Sequence, residues 1–157
     1  MRTVKCVVVL FAIMSEAIKI LYVEDKRSLR NILLKYVELK GFDVEINTAV
    51  DGKEGLKRQE TGSFDCIILD YKMPNLNGVE MFRELQDRGV AIPIIFFTAS
   101  ASQIDDVKEK SKSIPVRVIE KGGENKFQTL VETAIELASS ANIPDDREED
   151  TVETGRP

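Results

Sequence analysis

Glu24 and Asp25 directly follow one apolar run, and Asp70 directly follows another. Thr98 and Ala99 end a third, and Lys121 stands just past a fourth. Three carboxylates, a hydroxyl and an ammonium make a set that can hold a divalent cation and handle a phosphoryl group. Carboxylates gathered together repel, and their pKa values rise unless a cation compensates. The chain has no His and only two Cys, Cys6 and Cys66. Nothing therefore selects a transition metal, and Ser-His or Cys-His nucleophile pairs are excluded. An all-oxygen site suits Mg²⁺, which takes few carboxylates and keeps waters. Beside such a cation Asp70 can act as nucleophile, since carboxylates form aspartyl-phosphates. Lys121 can neutralise phosphoryl oxygens as a point charge, and the Thr98 hydroxyl can donate to one of them. Ala99 keeps its backbone N–H approachable.

Each residue alone also has a plain reading. Asp25 caps a helix, Glu24 is a solvated acid, and Asp70 opens a loop. Thr98 is a β-branched strand residue and Lys121 a surface lysine. The joint placement decides between the readings, and it depends on the elements that carry these residues.

Short apolar runs alternate five times with amphipathic stretches. Strands are predicted over 17–23, 43–49, 65–69, 92–97 and 115–119. Helices are predicted over 26–40, 51–60, 78–88, 102–110 and 126–138. The first helix shows Leu29, Ile32, Leu33, Tyr36, Val37 and Leu39 at helical spacing, with Gly41 as its stop. Asp51 is placed to cap the second, and Gly89 closes the third. Runs apolar throughout belong to strands buried on both faces, as in a parallel sheet covered by helices. Strict alternation then gives a doubly wound α/β fold. In such a sheet, sites form beyond the carboxyl ends of the strands. That rule brings Glu24, Asp25, Asp70, Thr98 and Lys121 to one edge.

With 157 residues the chain is one domain's worth, and its net charge is −5. Residues 143–157 hold six acids against two bases, so the remainder is near neutral. No basic surplus exists for nucleic acid. The acidic segment 141–157 reads as a disordered tail. Residues 6–14 form a nine-residue apolar run after Arg2 and Lys5. It falls short of the about 20 residues that span a bilayer. It could be a leader core with Ser15-Glu16-Ala17 as the cleavage site. The preferred reading takes 1–13 as an extension without function and Met14 as a second possible start, leaving the domain at 14–140. Cys66 reads as a small core residue and the two cysteines as no disulfide framework.

The sequence resembles the receiver domains of two-component signalling. The matching pieces are Glu24-Asp25, Asp70-Tyr71-Lys72-Met73-Pro74 with Gly78 four residues on, Thr98-Ala99, and Lys121, within roughly 18–138. The resemblance implies a flavodoxin-like five-stranded parallel sheet, order 2-1-3-4-5, with helices on both faces. It implies Asp70 as phosphoacceptor. Asp25, Asp70 and the Lys72 backbone carbonyl would bind Mg²⁺, with Glu24 helping through water. Thr98 and Lys121, with the Ala99 N–H, would hold the phosphoryl group. Two positions depart from the pattern. Gly122-Gly123 replaces the usual proline after the lysine, so a trans or reshaped loop is expected. Val118 replaces the usual aromatic residue, so an aromatic switch is not expected. The Lys-Gly-Gly ending is similar to receivers of methanogenic archaea.

The expected function is that of a stand-alone cytoplasmic response regulator, a monomer or weak dimer without DNA-binding output. It would take its phosphoryl group from a histidine kinase or phosphotransfer protein and act on a protein target, not on nucleic acid or membrane. The alternatives are a degenerate receiver that only binds partners and, more remotely, an aspartyl-phosphate phosphatase. Lys72 argues against the phosphatase, because such enzymes usually carry a general acid two residues after the nucleophile.

Overall fold

The computed structural model describes residues 16–111 and 113–142. The readings of 1–13 and of the acidic tail fall outside them, apart from residues 141 and 142. Five strands form one sheet: β1 (Ile18–Val23), β2 (Val44–Ala49), β3 (Cys66–Leu69), β4 (Ile94–Thr98) and β5 (Val116–Glu120). All pairings are parallel, and the order is β2-β1-β3-β4-β5. The helices are α1 (Arg27–Lys40), α2 (Gly52–Thr61), α3 (Gly78–Asp87), α4 (Asp105–Lys110) and α5 (Lys126–Ala141). This is the flavodoxin-like order that the resemblance implied.

Successive strand side chains point to opposite faces, and the strands split accordingly. Leu21, Val23, Ile67, Leu69, Ile94 and Phe96 pack with Leu56, Phe82 and Val107 from α2, α3 and α4. Ile20, Tyr22, Ile68, Ile95 and Phe97 pack with Leu33, Val37, Leu130 and Ala134 from α1 and α5. Cys66 lies in this second layer, and burial pushes its thiol up to about 12.

The helix ends follow local chemistry. Gly41 takes the left-handed conformation (φ 69°) that stops α1, as the sequence suggested. Asp51 caps α2 by accepting from the Glu54 N–H at 2.8 Å. Asn77 and Glu80 form a reciprocal capping box on α3.

Three segments differ from the sequence reading. The helix expected over 102–110 is split into a 3₁₀ turn, Ala101–Gln103, and the six-residue α4. Ile104, at φ −111° and ψ −5°, ends the first and caps the second without a side-chain bond. The fourth strand begins at Ile94 rather than 92, because Pro93 has no N–H for the ladder. The last helix continues to Ala141. Among the described residues no helix is long and apolar enough to cross a membrane.

Candidate functional site

The carboxyl ends of β1, β3, β4 and β5 bring the expected residues to one edge. Asp70 extends the central strand, and its N–H donates to the Val23 carbonyl at 3.1 Å. Glu24 continues β1, with its N–H donating to the Ala49 carbonyl at 3.0 Å. Each of Glu24, Asp25 and Asp70 offers a carboxylate oxygen, and the three oxygens lie within 4.8 Å of one another.

Lys121 reaches this cluster from β5. Its Nζ donates to Glu24 Oε2 at 2.6 Å and to Asp70 Oδ2 at 2.9 Å. It also lies over the Phe97 ring, 5.7 Å from the centroid. The lysine's N–H is fixed on the Thr98 carbonyl at 3.0 Å. No peptide bond among the described residues is cis, and the loop after Lys121 turns through Gly123 at φ 114°. The expectation of a trans loop thus agrees with the structure, and the lysine still reaches the acids.

The electrostatics follow from burial. Glu24 is fully buried, and this desolvation raises its carboxyl above the usual range despite the bond from Lys121. Burial alone would lower Lys121, but its bonds to Glu24 and Asp70 together outweigh it and raise the ammonium. Glu24 Oε1 is taken by the Lys26 N–H at 3.1 Å. Asp25 does not cap α1, whose capping residue is Lys26 with no side-chain cap bond. Asp25 Oδ1 is instead a buried acceptor with no hydrogen-bond partner among the described residues. An orphaned carboxylate oxygen beside two more carboxylates fits a hard divalent cation. The opening beside it is lined by Asp25, Tyr71, Lys72, Met73, Pro74 and Asn77, so Lys72 flanks the same space.

Thr98 is buried at the end of β4, and its Oγ1 accepts from the Ser100 N–H at 3.2 Å. That leaves the hydroxyl hydrogen free to point elsewhere. Gly78 explains how α3 comes so close to the nucleophile. A Cβ there would overlap the Asp70 carbonyl oxygen, while the Gly78 N–H donates to the Tyr71 carbonyl at 3.0 Å.

Sequence reasoning missed three contributors. Arg30 sends one guanidinium nitrogen to the carbonyls of Glu24 and Asp25, at 2.6 and 2.9 Å. The Tyr22 hydroxyl donates to Glu24 Oε2 at a long 3.4 Å. Asn75 holds a non-glycine left-handed conformation (φ 66°) and donates to Asp51 Oδ2 at 2.7 Å. Only the Asp-Gly pair after β2 and the Pro-Asn pair after Asp70 hinted at special turns.

Residues 20–132 match the family model of the response regulator receiver domain. The chain belongs to this family of phosphoacceptor signalling domains, which take phosphate from histidine kinases. It is 39% identical over 89 residues to the alkaline phosphatase synthesis transcriptional regulatory protein PhoP of Bacillus subtilis. That match covers 57% of this chain and 36% of PhoP. A protein-glutamate methylesterase/protein-glutamine glutaminase of Treponema denticola is 32% identical over 88 residues, covering 56% of this chain and 24% of the enzyme. The chain thus spans about a quarter to a little over a third of the length of these relatives. Among solved structures, the response regulator TrrA of Thermotoga maritima in complex with Mg(2+)-BeF superposes with a TM-score of 0.61 at 28% identity. That superposition covers 76% of this chain and 98% of TrrA. A CheY-like receiver of Methanospirillum hungatei, at 22% identity and TM-score 0.66 over 79% of this chain and 95% of its own, shares the fold.

Proposed function

We propose that this receiver accepts a phosphoryl group on Asp70 from a phosphohistidine donor and thereby alters a protein-binding surface. The observation that carries this reading is the position of Asp70. It is nearly buried at the end of the central strand, 2.9 Å from Lys121 Nζ and grouped with Glu24 and Asp25. A carboxylate oxygen of Asp70 attacks phosphorus and forms the new O–P bond. The P–N bond to the donor imidazole breaks, and the leaving nitrogen keeps the electron pair and takes a proton. Lys121 holds one phosphoryl oxygen by charge, while the Thr98 hydroxyl and the Ala99 N–H donate to others. Asp25, Asp70 and the Lys72 carbonyl would hold Mg²⁺, with Glu24 acting through water. Once bound, the ion offsets the charge of the phosphoryl oxygens against the acids.

In this reading the donor is a histidine kinase or phosphotransfer protein in the cytoplasm. The target is a protein surface rather than nucleic acid, since the composition carries no basic surplus. The test is the intact mass of the protein after incubation with Mg²⁺ and a small phosphodonor such as acetyl phosphate. Wild type should gain one phosphoryl mass and Asp70→Asn none. Equal labelling of the variant would refute the assignment. An unlabelled wild type would favour a domain that binds partners without phosphorylation.

A further inference from the structure

The loop that follows Asp70 is not held by its own turn alone. Asp51, at the start of α2 and only 9% exposed, faces it from across the sheet edge. One Asp51 oxygen, Oδ1, is used in capping α2. The other, Oδ2, accepts from Asn75 Nδ2 at 2.7 Å, across 24 residues of sequence. The adjacent Gly52 N–H donates to the Leu76 carbonyl at 3.1 Å. A Cβ at Gly52 would overlap that same carbonyl, so the two backbones are in close contact. Asn75 meets this partner only from its left-handed conformation, which Asn tolerates better than most residues. The clamped stretch joins Lys72, which flanks the acidic opening, to Gly78, which abuts the Asp70 carbonyl.

We propose that Asp51 and Asn75 form a latch that fixes the 71–77 loop, making both of them positioning residues for the cation site without touching it. The inference rests on the reading of the site given above. Its physical basis is that a backbone carbonyl binds a metal more tightly when its loop is fixed beforehand, because the ion then bears no cost of ordering it. Outer groups that orient ligands typically account for about 10–100-fold in affinity. Asp51 is suited to the task because its carboxylate is shared between two partners, each of which fixes a different segment.

The test uses three variants of the full chain. Asn75→Gly removes the amide but keeps the left-handed conformation accessible. Asn75→Asp sets two carboxylates against each other. The reciprocal double exchange, Asp51→Asn with Asn75→Asp, restores one donor and one acceptor at wild-type net charge. Asn at 51 can still cap α2. Calorimetric titration with Mg²⁺ alone should show about 10-fold weaker binding in Asn75→Gly. The double exchange should return to near the wild-type affinity. Without Mg²⁺, amide hydrogen exchange at Gly52 and Leu76 should quicken in both single variants and slow again in the double exchange. Wild-type Mg²⁺ affinity in Asn75→Gly, or a double exchange no better than Asn75→Asp, overturns the latch. A wild-type protein that binds no Mg²⁺ overturns the reading of the site itself, and the latch's role in it.

Discussion

Lys121 Nζ lies 2.6 Å from Glu24 Oε2, so a lysine on the fifth strand's end neutralises an acid on the first strand's end. Glu24 is fully buried, and the lysine side chain is only 14% exposed. A pair of this kind contributes little net stability by existing, yet removing one partner leaves an uncompensated charge. Lys121→Ala should therefore destabilise the apo protein by about 3 kcal/mol, the lower end for breaking a buried pair. Adding Glu24→Gln should recover most of that loss. Urea unfolding of the two variants decides this, and a double variant as unstable as the single one would show that Glu24 is not the group left stranded.

The orphaned Asp25 oxygen leads to a prediction about ligand-linked stability. Mg²⁺ should stabilise wild type by about 2.7 kcal/mol at one hundred times its dissociation constant. Asp25→Ala should lose most of that gain while folding normally without the ion. Melting curves with and without Mg²⁺ measure both. An undiminished Mg²⁺ shift in Asp25→Ala would rule the residue out as a ligand.

Gly78 should tolerate no side chain. A methyl group there must displace either the Asp70 carbonyl or the first turn of α3. Gly78→Ala is expected to cost about 1–3 kcal/mol, as overpacking does. It should also slow acetyl-phosphate labelling of Asp70. Gly89→Ala is the control, because nothing stands within 4 Å of a Cβ there, although its φ of 71° carries some backbone strain. A control that slows labelling as much as Gly78→Ala would contradict the close-approach explanation.

Asp51 gives a pH dependence with a definite sign. The Glu54 N–H holds its carboxyl below the usual value; burial, the next largest effect, opposes this, and the bond from Asn75 and then the N–H and charge of Lys53 add to the lowering, with Glu54 as the neighbouring acid. A depressed folded value means stability that is present above the unfolded pKa, about 3.9, and lost as pH falls through the folded one. The gap between wild type and Asp51→Ala should be about 1–2 kcal/mol at neutral pH. It should narrow only below about pH 3.9. Urea midpoints measured across that range check it, and a gap that closes near pH 6 would point to another group.

The sequence made some of this arrangement plain and concealed the rest. The strands were readable because β3 is apolar at every position and β4 at every position before its terminal Thr98, which two-sided burial explains. Their order then placed Glu24, Asp25, Asp70 and Lys121 at one edge, where the side chains do meet. The break at Ile104 was hidden because Ser102, Gln103, Asp105 and Asp106 are as acceptable in a helix's first turn as in a tight turn. Arg30 was hidden for a related reason. On a helix an arginine reads as solvated, and nothing in its spacing shows that it binds the two carbonyls preceding its own helix. The Asp51–Asn75 bond joins side chains 24 residues apart, a separation that periodicity does not register.

Phosphorylation should change the 99–111 segment without an aromatic flip, because Val118 is short, branched and stiff at χ1. α4 is a six-residue helix with Val107 as its one buried side chain, so displacing it costs little. A coupling on the order of 1–3 kcal/mol is expected. Hydrogen exchange with and without beryllofluoride should show altered protection in that segment. Bound mimic with unaltered protection there would sink this account of the switch.

The clamping of Asp70 at both its backbone N–H and its carbonyl sets where any response must begin. Its N–H is tied to Val23, and its carbonyl has Gly78 pressed against it. The main chain at the nucleophile is thus a fixed abutment. Extra bulk attached to the side chain cannot be accommodated by retreat, and must be taken up by whatever around it is softer. Rigidity under the reacting atom and compliance in the loops beside it would make one small covalent change legible at a distance.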